Sequence, residues 1–228
     1  MQLAERSANQ THKTEAMSAN LYALNNAFRN EFQSVVTRAL PGRTDIRPFV
    51  CDGPPFSCKV FLVGFNPAKS VGASFWSYWP SGYGFDRKKW IEAYQSHHGG
   101  LSNSRRRMEL IVAALRPFGC LETNIYAVPS PGAAALVASG RIHAPFDYLI
   151  ETIKPRVIIV HGVPAVTHVE RLLGTSSLPK NPPLPIFVRR SVPWGEAWIC
   201  VSKHLRSVSF ANASLIGRKA RMLVCALT

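Results

Sequence analysis

The chain has 228 residues, 46% of them hydrophobic, with no apolar run of membrane-spanning length. This fits one sizeable domain with enough apolar surface for a core. Lys and Arg number 27 against 13 Asp and Glu, a formal net charge of +14, which points to a polyanionic partner, nucleic acid before a membrane surface.

Residues 1–17 are polar and read as a flexible N-terminus without the apolar core of a secretory signal; residues 18–228 read as a single domain. A packing helix is expected over 18–40, where Leu21, Leu24, Phe28, Phe32, Val35 and Val36 recur at helical spacing and Pro41-Gly42 stops it. Residues 41–57 are a Pro- and Gly-rich loop. A buried strand is expected over 59–63, ending in the turn Gly64-Phe65-Asn66-Pro67. Residues 68–86 carry two Trp, two Tyr and two Phe among glycines, a composition that argues for a functional loop over a disordered one.

A helix is expected over 86–96, broken by His97-His98-Gly99-Gly100. Another starts at Ser102 or Asn103, with Met108, Ile111, Val112 and Leu115 on its apolar face and Gly119 ending it. A second strand is expected over 123–128, a helix over 145–153, and a third strand over 156–161, whose β-branched run suits burial on both faces. A helix follows to about 173. Residues 174–195 are Pro-rich, with an edge strand at 186–189. A last strand over 197–202 leads into HLRSVSFANAS and a basic helix over 215–227. The alternation predicts an α/β fold, three-layer α/β/α, with a central, mostly parallel four-stranded sheet. Ligands gather at the carboxyl ends of such strands. The five cysteines, Cys51, Cys58, Cys120, Cys200 and Cys225, form no CxxC pair, so a zinc ribbon is not supported and buried thiols are the preferred reading.

Four features in order resemble the uracil-DNA glycosylase superfamily across about residues 58–212. Gly64-Phe65-Asn66-Pro67 after a buried strand resembles its first motif, which carries Asn in the mismatch-specific branch and Asp or Glu in others. Thr123-Asn124 resembles the uracil-reading Asn. The run 156–162 resembles the strand-then-glycine before a helix, and His204 to Ser209 resembles the closing motif with its DNA-inserting loop. The chain departs from the family in having no acid in the first motif, Phe65 beside Asn66, and HLRSVS where a His-Pro-Ser run is usual.

The resemblance implies a monofunctional, cofactor-free and metal-free enzyme that flips uracil out of single- or double-stranded DNA and hydrolyses its glycosidic bond. It implies a monomer of the bacterial cytoplasm, acting at the nucleoid. Asn66 would orient the water and His204 would donate to the departing base, while Asn124 would read N3–H and O4. Each has a plainer alternative: a turn residue, a capping histidine, and an Asn tying down backbone. Gly64, Phe65 and Pro67 would shape the pocket. Phe75, with Trp76 as runner-up, would stack on the base, or both would anchor their loop on the core. Leu205, Arg206 and Val208 would wedge into the DNA gap. Lys69, Lys203, Arg206 and the run Arg105-Arg106-Arg107 would meet phosphates, as would Ser130 and Ser207; for the arginine run a solvated helix start is the commoner case. Asp86 is the carboxylate considered as a substitute acid. Arg141-Ile142-His143 resembles a tripeptide of one branch whose His bonds the sugar, but it lies close to the third strand and reads better as a surface loop. His97 and His98 lack metal-ligand spacing, and His161 is either a core histidine or a pocket wall.

Overall fold

The computed structural model describes residues 2–175 and 177–226, residues 2–17 by backbone only. In chain order the elements are α1 (Gln2–Ala39), β1 (Phe49–Val50), β2 (Val60–Gly64), α2 (Arg87–His98), α3 (Asn103–Leu115) and β3 (Cys120–Asn124). They continue as α4 (Ala144–Ile153), β4 (Val157–His161), α5 (Val163–Leu172), β5 (Ile186–Val192), β6 (Gly195–Ser202) and α6 (Phe210–Cys225).

Among the described residues, one six-stranded sheet runs in the order β1-β3-β2-β4-β6-β5, so the fold is α/β. The strands β3, β2, β4 and β6 are mutually parallel; apolar runs marked β2, β4 and β6, whereas β3 lies at Cys120–Asn124 and not over 123–128 as expected. β1 and β5 are antiparallel additions at the two edges, which makes the sheet mixed and wider than the four-stranded one expected. β1 is two residues long inside a Pro-rich loop, too short to leave a pattern. β5 returns on β6 through a tight turn, and its half-open burial is that of an edge strand.

β2 is buried along its whole length. Phe61 and Val63 face one core with Phe28, Phe32, Phe146 and Leu149, while Val60 and Leu62 face the other with Ile111, Leu115, Ile216 and Ala220. Strand alternation thus feeds a core on each side of the sheet. On the second side α6 lies against α3 at Gly217, where a Cβ would stand 2.5 Å from the Ile111 carbonyl oxygen.

The helix α1 begins at Gln2 rather than near residue 18. Its buried seam is Asn25, Phe28, Phe32, Val36 and Leu40; Leu21 and Leu24, expected on that face, are exposed. The seam is set by what α1 meets. The Trp79 indole N–H donates to Asn25 Oδ1 at 3.4 Å, and Arg29 Nε donates to the Trp79 carbonyl at 2.9 Å. The closing helix starts at Phe210, earlier than expected, because Ser209 caps it by accepting from the Asn212 N–H. The expected end of that helix at Leu227 lies outside the described residues.

Within residues 68–86, the aromatic stretch from Phe75 to Phe85 is not a wall of the cleft that Ala68 and Lys69 line. Phe75, Tyr78, Trp79 and Phe85 are buried, and Phe49 of β1 touches Phe75, Trp79 and Phe85 with centroids at 5.0, 5.1 and 5.4 Å. The segment contributes core rather than active-site surface, with only a short 3-10 turn at Phe75–Tyr78.

One buried charge cluster ties α2 and α3 to the sheet. Glu122 of β3 accepts from Arg87 Nη2 at 2.8 Å and pairs with Arg105, and both arginines also meet Glu109. Burial pushes the Glu122 carboxyl up, but Arg105 and Arg87 outweigh it and hold the group below its ordinary value. Its stabilising effect is therefore present above the unfolded carboxylate pKa and lost as pH falls through the lower folded one. Glu122→Gln leaves two arginines short of a partner and is expected to cost about 3–5 kcal/mol, measured by urea unfolding at neutral pH. The gap between variant and wild type should narrow at acid pH.

Candidate functional site

The carboxyl ends of β2, β3 and β4 open into a cleft of about 360 Å³. Asn66, Lys69, Asn124, His161 and His204 all line it, together with Arg47, Tyr94, His98, Arg105 and Arg106. Asn66, Asn124 and His204, expected from separate parts of the sequence to act together, are thus brought to one place.

Asn124 reaches the cleft by a route different from the expected one. It ends β3 rather than beginning a strand, because β3 runs Cys120–Asn124 and residue 124 sits opposite Gly64 in the parallel register. The chain beyond follows the turn: Ile125 N–H donates to the Gly64 carbonyl and Tyr126 N–H to that of Phe65, both at 3.0 Å. Gly64 has a steric role. A Cβ there would lie 2.7 Å from Asn124 Oδ1 and 3.2 Å from His161 Nε2, so the bare strand end lets both side chains approach.

Asn66 is stapled. Its Nδ2 donates to the carbonyls of Pro67 at 3.0 Å and Ser130 at 2.9 Å. The backbone N–H of Ser130 donates in turn to the Pro67 carbonyl at 2.8 Å. The turn-residue reading is therefore realised, and it uses only the nitrogen; Oδ1 is the part of the amide left to meet water or a ligand.

His204 likewise serves two ends. Its Nδ1 accepts the Arg206 backbone N–H at 3.2 Å and caps the 3-10 turn Leu205–Ser207. Burial, then Arg206, lowers its pKa, which favours the neutral ring. With Nδ1 accepting, the neutral ring carries its proton on Nε2. His161, 5% exposed, packs edge-to-face on His204 at 5.3 Å. Burial, then His204, pushes it down to about 3, so it is neutral at ordinary pH.

The cleft is electropositive. Its lining includes Arg47, Lys69, Arg105 and Arg106 and no carboxylate among the described residues. Burial, then Arg105, pushes Arg47 down to about 10, still fully charged at neutral pH. Arg47 and Arg105 both stack on the Trp90 ring, each 5.5 Å from its centroid. The arginine run divides: Arg105 is buried in the Glu122 cluster, Arg107 donates to the Val208 and Asn103 carbonyls, and Arg106 is exposed at the cleft. Asp86 is not a substitute acid there; its carboxylate accepts from Lys89 N–H as the cap of α2.

Several expected site residues lie elsewhere. Phe75 is 2% exposed inside the aromatic core and has no face for a base, and Trp76 packs between Arg29 and the rings of Trp79 and Phe32. Leu205 and Val208 are buried in the core on the far side of the sheet, which removes them as wedges; Arg206 alone of that trio is exposed. Lys203 and Ser207 line a separate small hollow beside Pro182–Pro185. The Ser130 hydroxyl donates to the Gly132 carbonyl instead of a phosphate. Phe65 and Pro67 support the turn, Phe65 by an edge-to-face contact with Tyr126 at 5.0 Å. Reasoning from sequence passed over Tyr94 and Arg47; helical spacing in α2 was the available signal for Tyr94.

His143, Asp147 and His168 place possible ligand atoms within 4.8 Å of one another. Arg171 Nη2 donates to His168 Nδ1 at 3.1 Å, which puts the neutral ring's proton on Nε2, the nitrogen that faces Asp147. A metal needs that nitrogen bare, and here it stands 3.7 Å from Asp147 Oδ1, so the cluster sets an α5 ring beside an α4 carboxylate.

Gly64→Ala is expected to displace the Asn124 side chain and cost about 1–3 kcal/mol of stability through overpacking. Thermal melting and the Asn124 side-chain amide NMR signal report the two effects; an unmoved signal with unchanged melting would show that the cleft floor has room to spare. Comparison with protein-family models gives no match, and comparison with curated proteins gives none either.

Proposed function

We propose that the chain is a monofunctional uracil-DNA glycosylase that flips uracil from DNA and hydrolyses its N-glycosidic bond, leaving an abasic site. The observation that carries the reading is the convergence of Asn66, Asn124 and His204 in one cationic cleft at the ends of parallel strands. A cleft of this size takes a flipped nucleoside, and its cations suit the flanking phosphates. Tyr94, 9% exposed and packed against Trp90 and His98, is the one Phe, Trp or Tyr among its described lining residues and is the candidate that replaces Phe75 for stacking.

Chemistry follows from the donors present. Asn124 meets N3–H and O4 of uracil. His204 Nε2–H donates to O2 as the C1′–N1 bond breaks and the electron pair moves onto the base. Asn66 Oδ1 accepts from a water whose oxygen adds to C1′, and that water's proton leaves with the uracil anion. An amide is no general base, so the site depends on stabilising the departing base, an effect worth about 2.7–4 kcal/mol per oriented donor.

The carboxylate-free lining favours one competing reading, a DNA-binding module of this fold without excision. Purified protein in EDTA should produce abasic sites in U·G, U·A or single-stranded uracil substrates. His204→Ala should lower the rate by about 10²–10³-fold with folding intact. Intact substrates throughout, together with salt-sensitive DNA binding, would replace the enzyme reading with the binding one.

A further inference from the structure

Resting on that reading of the cleft, we propose that His161 reads the flipped base. Its imidazole, set between Asn124 and His204 at the cleft floor, would hydrogen-bond a lactam base such as uracil.

His161 is anomalous as a core residue. It ends a strand buried along its length, is 95% buried, and lines the cleft. Yet neither Nδ1 nor Nε2 has a hydrogen-bond partner among the described residues. Buried polar groups are nearly always satisfied, and one left unpaired destabilises the fold. A purely structural position here would favour an apolar residue, as at the preceding Val157, Ile158, Ile159 and Val160.

The placement supplies a use. Nε2 and Asn124 Oδ1 converge over Gly64, and the ring edge meets His204. The two residues given to the base's edges therefore flank His161, and a base seated between them lies against the imidazole. A neutral imidazole has one donor and one acceptor. Because no protein group fixes the tautomer, the proton can face a base carbonyl. His161 is held neutral by its burial, so it adds hydrogen-bonding capacity without a charge that would favour anions indiscriminately.

The test uses stability and discrimination together. Wild type, His161→Leu and His161→Gln are compared by thermal melting and by fluorescence anisotropy. The probes are single-stranded oligonucleotides carrying non-cleavable 2′-fluoro-deoxyuridine or 2′-fluoro-deoxycytidine. Wild type should bind the uracil probe at least tenfold tighter than the cytosine probe. His161→Leu should melt higher, bind the cytosine probe as before and lose the preference, while His161→Gln keeps part of it. Full preference in both variants would overturn the role of His161 and leave the glycosylase reading standing. Wild type with neither preference nor excision would overturn both. If His161→Leu does not fold, His161→Gln decides the matter, and an unchanged preference there counts against the proposal.

Discussion

The parallel register of β3, β2, β4 and β6 is the constraint on which the rest of the molecule depends. It places Asn124 against Gly64 and His161 against Ser202, so that four strand ends stop at one level. Asn124 and His161 reach the cleft directly from strand ends, and Asn66 and His204 from the turns that follow β2 and β6. The helices then serve the register: α3 and α6 close one face, and α1 with α4 closes the other.

Charge is arranged behind this edge as well as in it. Glu122, two residues before Asn124 on β3, holds Arg87 and Arg105, and Arg105 shares the Trp90 ring with Arg47. A buried acid thus fixes basic groups at the rim and absorbs part of their mutual repulsion. Arg47, Lys69, Arg105 and Arg106 gather part of the net charge of +14 in one cleft whose described lining holds no carboxylate.

Much of this was legible in the residues. Long apolar runs marked β2, β4 and β6, since a strand buried on both faces must be apolar throughout. Asn66 and His204 were identifiable because each follows such a run; Asn124 was picked out by resemblance alone and placed at the start of a strand that it in fact ends. The aromatic segment misled: its rings are dense in glycine-rich sequence, which looks like a ligand wall, but Phe49 from a two-residue strand gathers them into the core. The wedge residues misled for a related reason. Leu205 opens a 3-10 turn that Val208 closes, and the turn buries these two while exposing Arg206 and Ser207 between them; sequence spacing does not say which side faces the core.

The double tether of Asn66 has one more implication. Both bonds made by its Nδ2 run to carbonyl oxygens, of Pro67 and of Ser130. An ionised carboxylate only accepts. An aspartate at this position, the acid found in other branches that the first motif resembles, would set negative oxygen against two carbonyl dipoles and release the loop at Ser130 from the turn. Amide and acid are therefore not interchangeable readings of one motif in this fold. Any lineage passing from one to the other would have to rebuild the loop around residues 129–131 in the same step, which makes the missing acid a property of the scaffold as much as of the chemistry.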